Sequence, residues 1–324
     1  MPGLSSTTAT GTNATRQQCA DAVLMVRPAA FGFNAETAAS NTFQKPAPAG
    51  LDGAATARTE FDGLKRALES EGVRVVAVED TYLPVKPDAV FPNNWVSFHP
   101  CGTLVLYPMA NPSRRLERRQ DAIEAVVART GFQLSHLLDL THFESQGKHL
   151  EGTGSLVLDH VNRLAYACSS PRTHPDVVRE WARELGFEPV IFQATNRAGV
   201  PLYHTNVLMC IGARAVIVAA DAIAPADREH VLAKLRASGR EIIDVGHAGL
   251  EQFAGNMLEL ASWDEALGDC RVLVMSESAR KSLSREAFAQ LSGTTDAVLA
   301  VPVPTIERLG GGSVRCMMAE VFAP

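Results

Sequence analysis

No stretch of the 324-residue chain approaches the roughly 20 consecutive apolar residues that a membrane-spanning helix needs, so no membrane partner is expected. The first eighteen residues, MPGLSSTTATGTNATRQQ, have neither a basic start nor an apolar core, so they do not read as a secretion signal. Residues 1–18 are read instead as a disordered polar tail ahead of a domain at 19–324. The six cysteines (19, 101, 168, 210, 270 and 316) include no CxxC pair. That spacing suits reduced thiols in a cytoplasmic protein better than a disulfide framework. All but Cys316 are expected to be packing residues. No GxGxxG follows a strand, which weakens the case for a dinucleotide site. Positive charge is also scarce: 30 Lys and Arg against 36 Asp and Glu give a net charge of −6, which disfavours a nucleic-acid partner.

The chain is globular in composition, with 46% hydrophobic and 20% charged residues. Its length alone suggests about two domains, but an internal repeat argues for one unit. Five helix-like patterns each end at a glycine and lead into an apolar strand. They carry Phe61, Leu64 and Leu68; Ile123, Val126 and Val127; Val177, Val178, Trp181 and Leu185; Val231, Leu232 and Leu235; and, more weakly, Ala287, Phe288 and Leu291. Apolar residues at this spacing make one buried stripe on a helix. The glycines fall at 72, 131, 186, 239 and 293, steps of 59, 55, 53 and 54, and suit left-handed C-caps. A second strand follows in each unit, opened by FPNNWVSF, LEGTGSLVLD, YHTNVLMCI, AGNMLEL and VRCMMAEVF. The residues Asn94, Glu151, His204, Asn256 and Cys316 mark these openings. The expected fold is α/β, a ring of five units in which each helix buries its stripe on its own sheet and the five openings converge near a central axis. A doubly wound sheet is the competing architecture.

Cys316 follows Gly310, Gly311 and Gly312, and three successive glycines usually mark close approach of backbone to another group. Taken singly, His204 reads as a rim histidine and Glu151 as a solvated carboxylate at a strand edge. At equivalent points of three units, the three form a set for nucleophilic catalysis: thiolate, proton shuttle and orienting carboxylate. Zinc ligation uses the same residue types, but no ligand pair stands at zinc-like spacing, so neither a metal nor a cofactor is expected. Arg114 in NPSRRLER and Arg172 in SSPRTHPDV suit a bidentate carboxylate clamp.

These segments resemble the guanidino-group-modifying enzymes, which include arginine deiminases, dimethylarginine hydrolases and amidinotransferases. The resemblance covers about residues 22 to 322. It implies the pentein fold, a five-bladed α/β-propeller. GGGSVRCMM resembles the segment of the nucleophile and implies that role for Cys316. LEGTG resembles the family's EGGD or EAGD motif and implies that Glu151 binds substrate. YHTN resembles H-x-D and implies that His204 is the acid/base. SSPRT and PSRR imply that Arg172 and Arg114 hold the substrate carboxylate, with Arg115 as the alternative to Arg114. PDAVFPNN implies that Asp88 holds the substrate amino group and that Asn94 stands at a guanidinium-binding position. FPNNWVSF and GNMLEL are most similar to the citrulline-utilisation branch.

Where deiminases carry carboxylates, this chain has the amides Asn94 and Asn206. An amide both donates and accepts, which suits a neutral ureido group better than a cationic guanidinium. The expected activity is therefore hydrolysis of citrulline to ornithine, ammonia and carbon dioxide. An arginine deiminase, a dimethylarginine-type hydrolase or a non-catalytic pentein remain alternatives, and a homo-oligomer is left open. Residues 31–44, which mix aromatic and polar side chains, are expected to close over the site.

Overall fold

The computed structural model describes residues 18–323. The expected tail lies outside the described residues except for Gln18. That residue is buried, and its side-chain amide donates to the carbonyls of Leu158 and Ile211 at 3.0 Å each. The chain enters β1 (Ala22–Arg27) and, after the helix Gly53–Ser70, lays β2 (Arg74–Glu79) parallel to it. Next, β3 (Val96–Phe98) turns antiparallel into β4 (Thr103–Leu106), which runs parallel to β5 (His136–Asp139). The same antiparallel-then-parallel order recurs in three further groups. They are β6 (Val157–Asp159), β7 (Leu164–Cys168) and β8 (Glu188–Phe192); β9 (Met209–Ile211), β10 (Ala215–Val218) and β11 (Glu241–Asp244); and β12 (Leu258–Asp264), β13 (Gly268–Ser276) and β14 (Ala297–Val301).

The last strand, β15 (Ala319–Val321), returns antiparallel to β1. One β15–β1–β2 group is thus assembled from both ends of the described chain. A single residue pair, Val321 with Phe98, joins it to β3–β4–β5 in a six-stranded sheet, and the other three sheets have three strands each. The parallel partner of each group is reached through a helix, as a parallel crossover requires.

The helices depart from expectation in where they pack. Helix Gly53–Ser70 packs on β1 and β2 but also on β14 of the neighbouring group, and its Phe61, Leu64 and Leu68 share one apolar cluster with Val272 and Val274 of β13. Ala122 and Val126 of helix Gln120–Thr130 reach back to Ala22, Leu24 and Val76. Each of these helices seals a seam between groups, so its apolar stripe is shared between two strand groups. Val127, expected in that stripe, is exposed. Four of the five repeat glycines have φ between +69° and +77°, as left-handed caps, whereas Gly293 is right-handed at −72°. Cys19, Cys168 and Cys210 are buried as packing residues, but Cys101 is exposed and Cys270 partly so.

Candidate active site

The marker positions fall on the short turns that open β3, β6, β9, β12 and β15. Asn94 ends a 3-10 turn at Pro92–Asn94, Glu151 and His204 stand at the N-caps of turns at Gly152–Ser155 and Thr205–Val207, and Cys316 lies within Val314–Met317. These turns pack against one another, and all four residues are buried. His204 Nε2 meets Glu151 Oε2 at 2.8 Å. Close approach depends on Gly154, where a Cβ would lie 2.4 Å from Asn94 Nδ2 and 2.7 Å from His204 Nδ1. The glycine triplet has the same function: Gly311, at φ +63°, would put a Cβ 2.6 Å from Asn41 Nδ2.

Glu151 is the electrostatic centre. Its Oε1 accepts from the Ala110 N–H at 3.2 Å, and its Oε2 lies 3.5 Å from both Arg114 Nη1 and Arg172 Nη1. Burial pushes its carboxyl up, but Arg172, the His204 bond and Arg114 outweigh burial and hold it well below the usual carboxylate range. Burial lowers His204 to about 4 against the pull of Glu151, so the imidazole is neutral at pH 7. With Nε2 held by the carboxylate, Nδ1 is the nitrogen left to exchange protons.

Glu117, which the sequence reading missed, organises the arginine side. Arg114 forks onto it, with Nε and Nη2 each 2.8 Å from a carboxylate oxygen, while Arg114 Nη1 donates to Asn94 Oδ1 at 2.9 Å. Arg114, expected at the substrate carboxylate, therefore has its guanidinium committed beneath Asn94 and Glu151. Burial raises the Glu117 carboxyl to about 7 although Arg114 draws it down. The signal for Glu117 was present as an i, i+3 Arg–Glu pair in SRRLE, but it is indistinguishable from an ordinary exposed pair without the burial.

Arg172 reaches the other end of the cavity. Its Nη2 donates to Thr37 O and Ser40 Oγ at 2.8 Å each, and its guanidinium lies over the Tyr203 ring. Asp88 Oδ2 accepts from Asn34 Nδ2 at 2.8 Å and from Thr37 Oγ1 at 3.2 Å, while its buried Oδ1 has no partner. Thr37, Asn41 and Gln44 of segment 31–44 line the cavity, and the segment is tied down by polar contacts. Asn41 Nδ2 donates to Gly311 O at 3.2 Å, and the Tyr203 hydroxyl donates to the same carbonyl.

At Cys316 the neighbours are amides. Asn206 Nδ2 lies 3.4 Å and Asn256 Nδ2 3.3 Å from Sγ. Arg315, adjacent in sequence, points away to Glu320 and the Met318 carbonyl. The cavity is walled by Cys316, His204, Asn94, Asp88, Arg114 and Arg172 among others, and Asn206, not among its lining residues, contacts the sulfur. Every residue expected at the site is therefore within or beside one cavity. Among the described residues, no group of three or more His, Cys, Asp or Glu is placed to hold a metal ion, and no helix is long and apolar enough to cross a membrane. A thiol, a carboxylate-held neutral imidazole and fixed hydrogen-bond donors can together support attack on a trigonal carbon.

The profile of eukaryotic N,N-dimethylarginine dimethylhydrolases matches residues 27–323. Comparison with curated protein sequences gives no significant match. Among solved structures, ArgZ without ligand, an arginine dihydrolase of the cyanobacterial ornithine–ammonia cycle, superposes with a TM-score of 0.71 at 18% identity over 94% of this chain. The match spans 41% of the ArgZ chain, so this protein corresponds to about two fifths of it. The isolated N-terminal domain of ArgZ, as a cysteine-to-serine variant bound to substrate, gives 0.71 at 18% identity, covering 94% of this chain and 98% of that one. DDAH of Pseudomonas aeruginosa, complexed with citrulline, gives 0.64 at 15% identity, covering 93% and 99%. With residues 27–323 matched, this protein belongs to the dimethylarginine dimethylhydrolase family, within the pentein superfamily of guanidino-modifying enzymes.

Proposed function

We propose that this protein is a cysteine-dependent hydrolase of the ureido carbon of L-citrulline, cytoplasmic and independent of metal or cofactor, with its five strand groups arranged as a five-bladed α/β-propeller. One observation carries the choice of substrate. Arg114 can only donate, so its bond to Asn94 Oδ1 fixes the orientation of that amide. Asn94 lines the cavity, and its Nδ2 is left buried and unpartnered, close against Gly154. An N–H at that place fits the carbonyl oxygen of a ureido group, whereas a guanidinium offers only donors.

In the proposed mechanism the Cys316 thiolate attacks the ureido carbon, and His204, having taken the thiol proton, passes it to the departing ammonia. The C–N bond to the terminal nitrogen breaks as the C–S bond forms, leaving an S-carbamoyl intermediate. His204 then removes a proton from water, which displaces Cys316 and gives the ornithine carbamate. Protonation of that carbamate releases carbon dioxide and ornithine. Glu151 orients His204 and Asn94 meets the carbonyl oxygen. Asp88 faces the substrate ammonium, and its carboxylate replaces Ser40 and Thr37 on Arg172. Arg114 fixes Asn94 from below. Arginine is the second reading, favoured by the family's guanidine substrates, and hydrolysed twice it would pass through the same ureido chemistry.

The test is a substrate panel of citrulline, arginine and N,N-dimethylarginine, assayed for ornithine, citrulline and ammonia. Citrulline should give ornithine and ammonia in equal amounts, and Cys316→Ala should abolish this. Inert citrulline, with arginine converted only to citrulline, would sink the proposal.

A further inference from the structure

We infer that Asn256 is a further catalytic residue: with Asn206 it forms a two-amide cradle that stabilises the Cys316 thiolate. This rests on the proposed role of Cys316 as nucleophile. Among the described residues, no cation bonds to Sγ; its hydrogen-bond partners are the two asparagines. The orientation of Asn256 is fixed independently of the sulfur. Its Nδ2 donates to the Asn206 carbonyl at 2.9 Å, and a carbonyl can only accept. The second hydrogen of the same nitrogen faces Sγ at 3.3 Å. Oδ1 lies 3.7 Å from the sulfur, where it can take the S–H of the neutral thiol. One amide thus serves both protonation states, and the donor side favours the anion because hydrogen bonds to a charged partner are the stronger ones.

Two unusual backbone features deliver Asn256 to this place. Phe253 has φ +60°, rare for a bulky residue, and the Asn256 N–H closes the turn on the Phe253 carbonyl at 2.8 Å. At Gly255 any Cβ would lie 2.5 Å from the Leu208 backbone, so the turn presses directly on the segment carrying Asn206. Backbone held in a sparsely populated region by its surroundings is a frequent feature of functional sites. Asn256 itself is fully buried.

The experiment follows alkylation of Cys316 by iodoacetamide, read by peptide mass mapping so that the exposed Cys101 does not interfere. Asn256→Ala removes the donor, and Asn256→Asp keeps the shape but replaces the donor with a carboxylate. Losing one hydrogen bond to an ionised group should slow alkylation at pH 7 about tenfold. The deficit should shrink at pH 9.5, where bulk base supplies thiolate. Thermal unfolding identifies any variant that has lost its fold, and the isosteric Asp variant is the safeguard if Ala does. Wild-type rates in the folded variants would overturn the inference, as would a deficit equal at both pH values, since that reports access to the sulfur. Citrulline is absent from the assay, so failure of the substrate assignment leaves this result readable. Loss of the nucleophile role would appear separately, as full turnover by Cys316→Ala.

Discussion

On one side of the cavity, Glu151, Arg114, Arg172 and Glu117 form a buried ionic network; on the other, the hydrogen-bond partners of Cys316 Sγ among the described residues are the neutral amides of Asn206 and Asn256. The charged side is internally matched. Arg114 is forked on Glu117, and Glu151 lies between two guanidiniums and an imidazole. Buried charges are tolerable only when paired and hydrogen-bonded in this way, so in the proposed mechanism Arg114, Glu117 and Glu151 position His204 and Asn94, while Arg172 alone is available to a substrate carboxylate once it leaves Thr37 and Ser40. What the cavity leaves unsatisfied is mainly neutral, Asn94 Nδ2 and Asn206 Oδ1, with Asp88 Oδ1 at the far end. In the proposed mechanism charge positions the groups, and amides read the reacting atoms.

The largest expected effect breaks the link between the two sides. His204→Ala removes the proton shuttle and should lower kcat for citrulline by at least about 10²-fold. Glu151→Gln should act in the same direction by freeing the imidazole ring. Steady-state assays check both, and a His204→Ala enzyme within a few fold of wild type would leave the ionic network without a catalytic purpose.

Removing Glu117 tests whether the charged side is structural. Glu117→Ala leaves Arg114 buried without its fork partner, and breaking one side of such a pair costs about 3 to 5 kcal/mol. Urea unfolding should show a lower midpoint of that order. The comparison loses its footing if the variant is as stable as wild type.

The pH dependence of stability is a third probe. Burial holds His204 at about 4 and both His99 and His160 at about 3, all below the ordinary 6.5. Between those values the unfolded chain binds more protons than the folded one, so stability falls as pH drops. The contribution of these histidines is complete above pH 6.5 and is lost toward pH 4 and 3. Glu117, raised to about 7, acts oppositely, stabilising at low pH and losing its contribution as pH rises through 7. Burial also raises Glu60, which acts with Glu117, but the three histidines together predict a Tm that declines from pH 7 to pH 4; a rising Tm would place those imidazoles in contact with water.

Much of this was legible in the sequence. The near-constant glycine step marks the five groups, and their openings mark Asn94, Glu151, His204, Asn256 and Cys316. What was not legible depended on partners distant in the chain. Glu117 looks like any surface glutamate until Leu116 turns outward and Arg114 inward. Asn256 was visible as a repeat position, but its function required the approach of Cys316, 60 residues away. The pairing of β15 with β1 joins segments almost 300 residues apart, and no local pattern encodes it. Gly293 shows the limit of periodicity: the residue is in step, yet its backbone is not left-handed.

The smallest effect separates the two asparagines that sequence alone had treated alike. Asn94→Asp puts a carboxylate on the cavity wall, where the citrulline carbonyl would meet an acceptor instead of a donor. Arg114 would bond the new carboxylate through one oxygen, leaving the other facing substrate. An unpaired buried group costs about 1 to 3 kcal/mol, so kcat/KM for citrulline should fall roughly 5- to 150-fold. Arginine, with N–H groups at the same place, should lose less, and the citrulline/arginine ratio should move toward arginine. Asn206→Asp acts elsewhere, because that side chain lies behind the sulfur and donates to it. It should weaken the nucleophile and lower both substrates together, leaving the ratio within a few fold of wild type. A ratio that moves in Asn206→Asp but not in Asn94→Asp would reverse the assignment: the amide behind the sulfur would then be the one that reads the substrate.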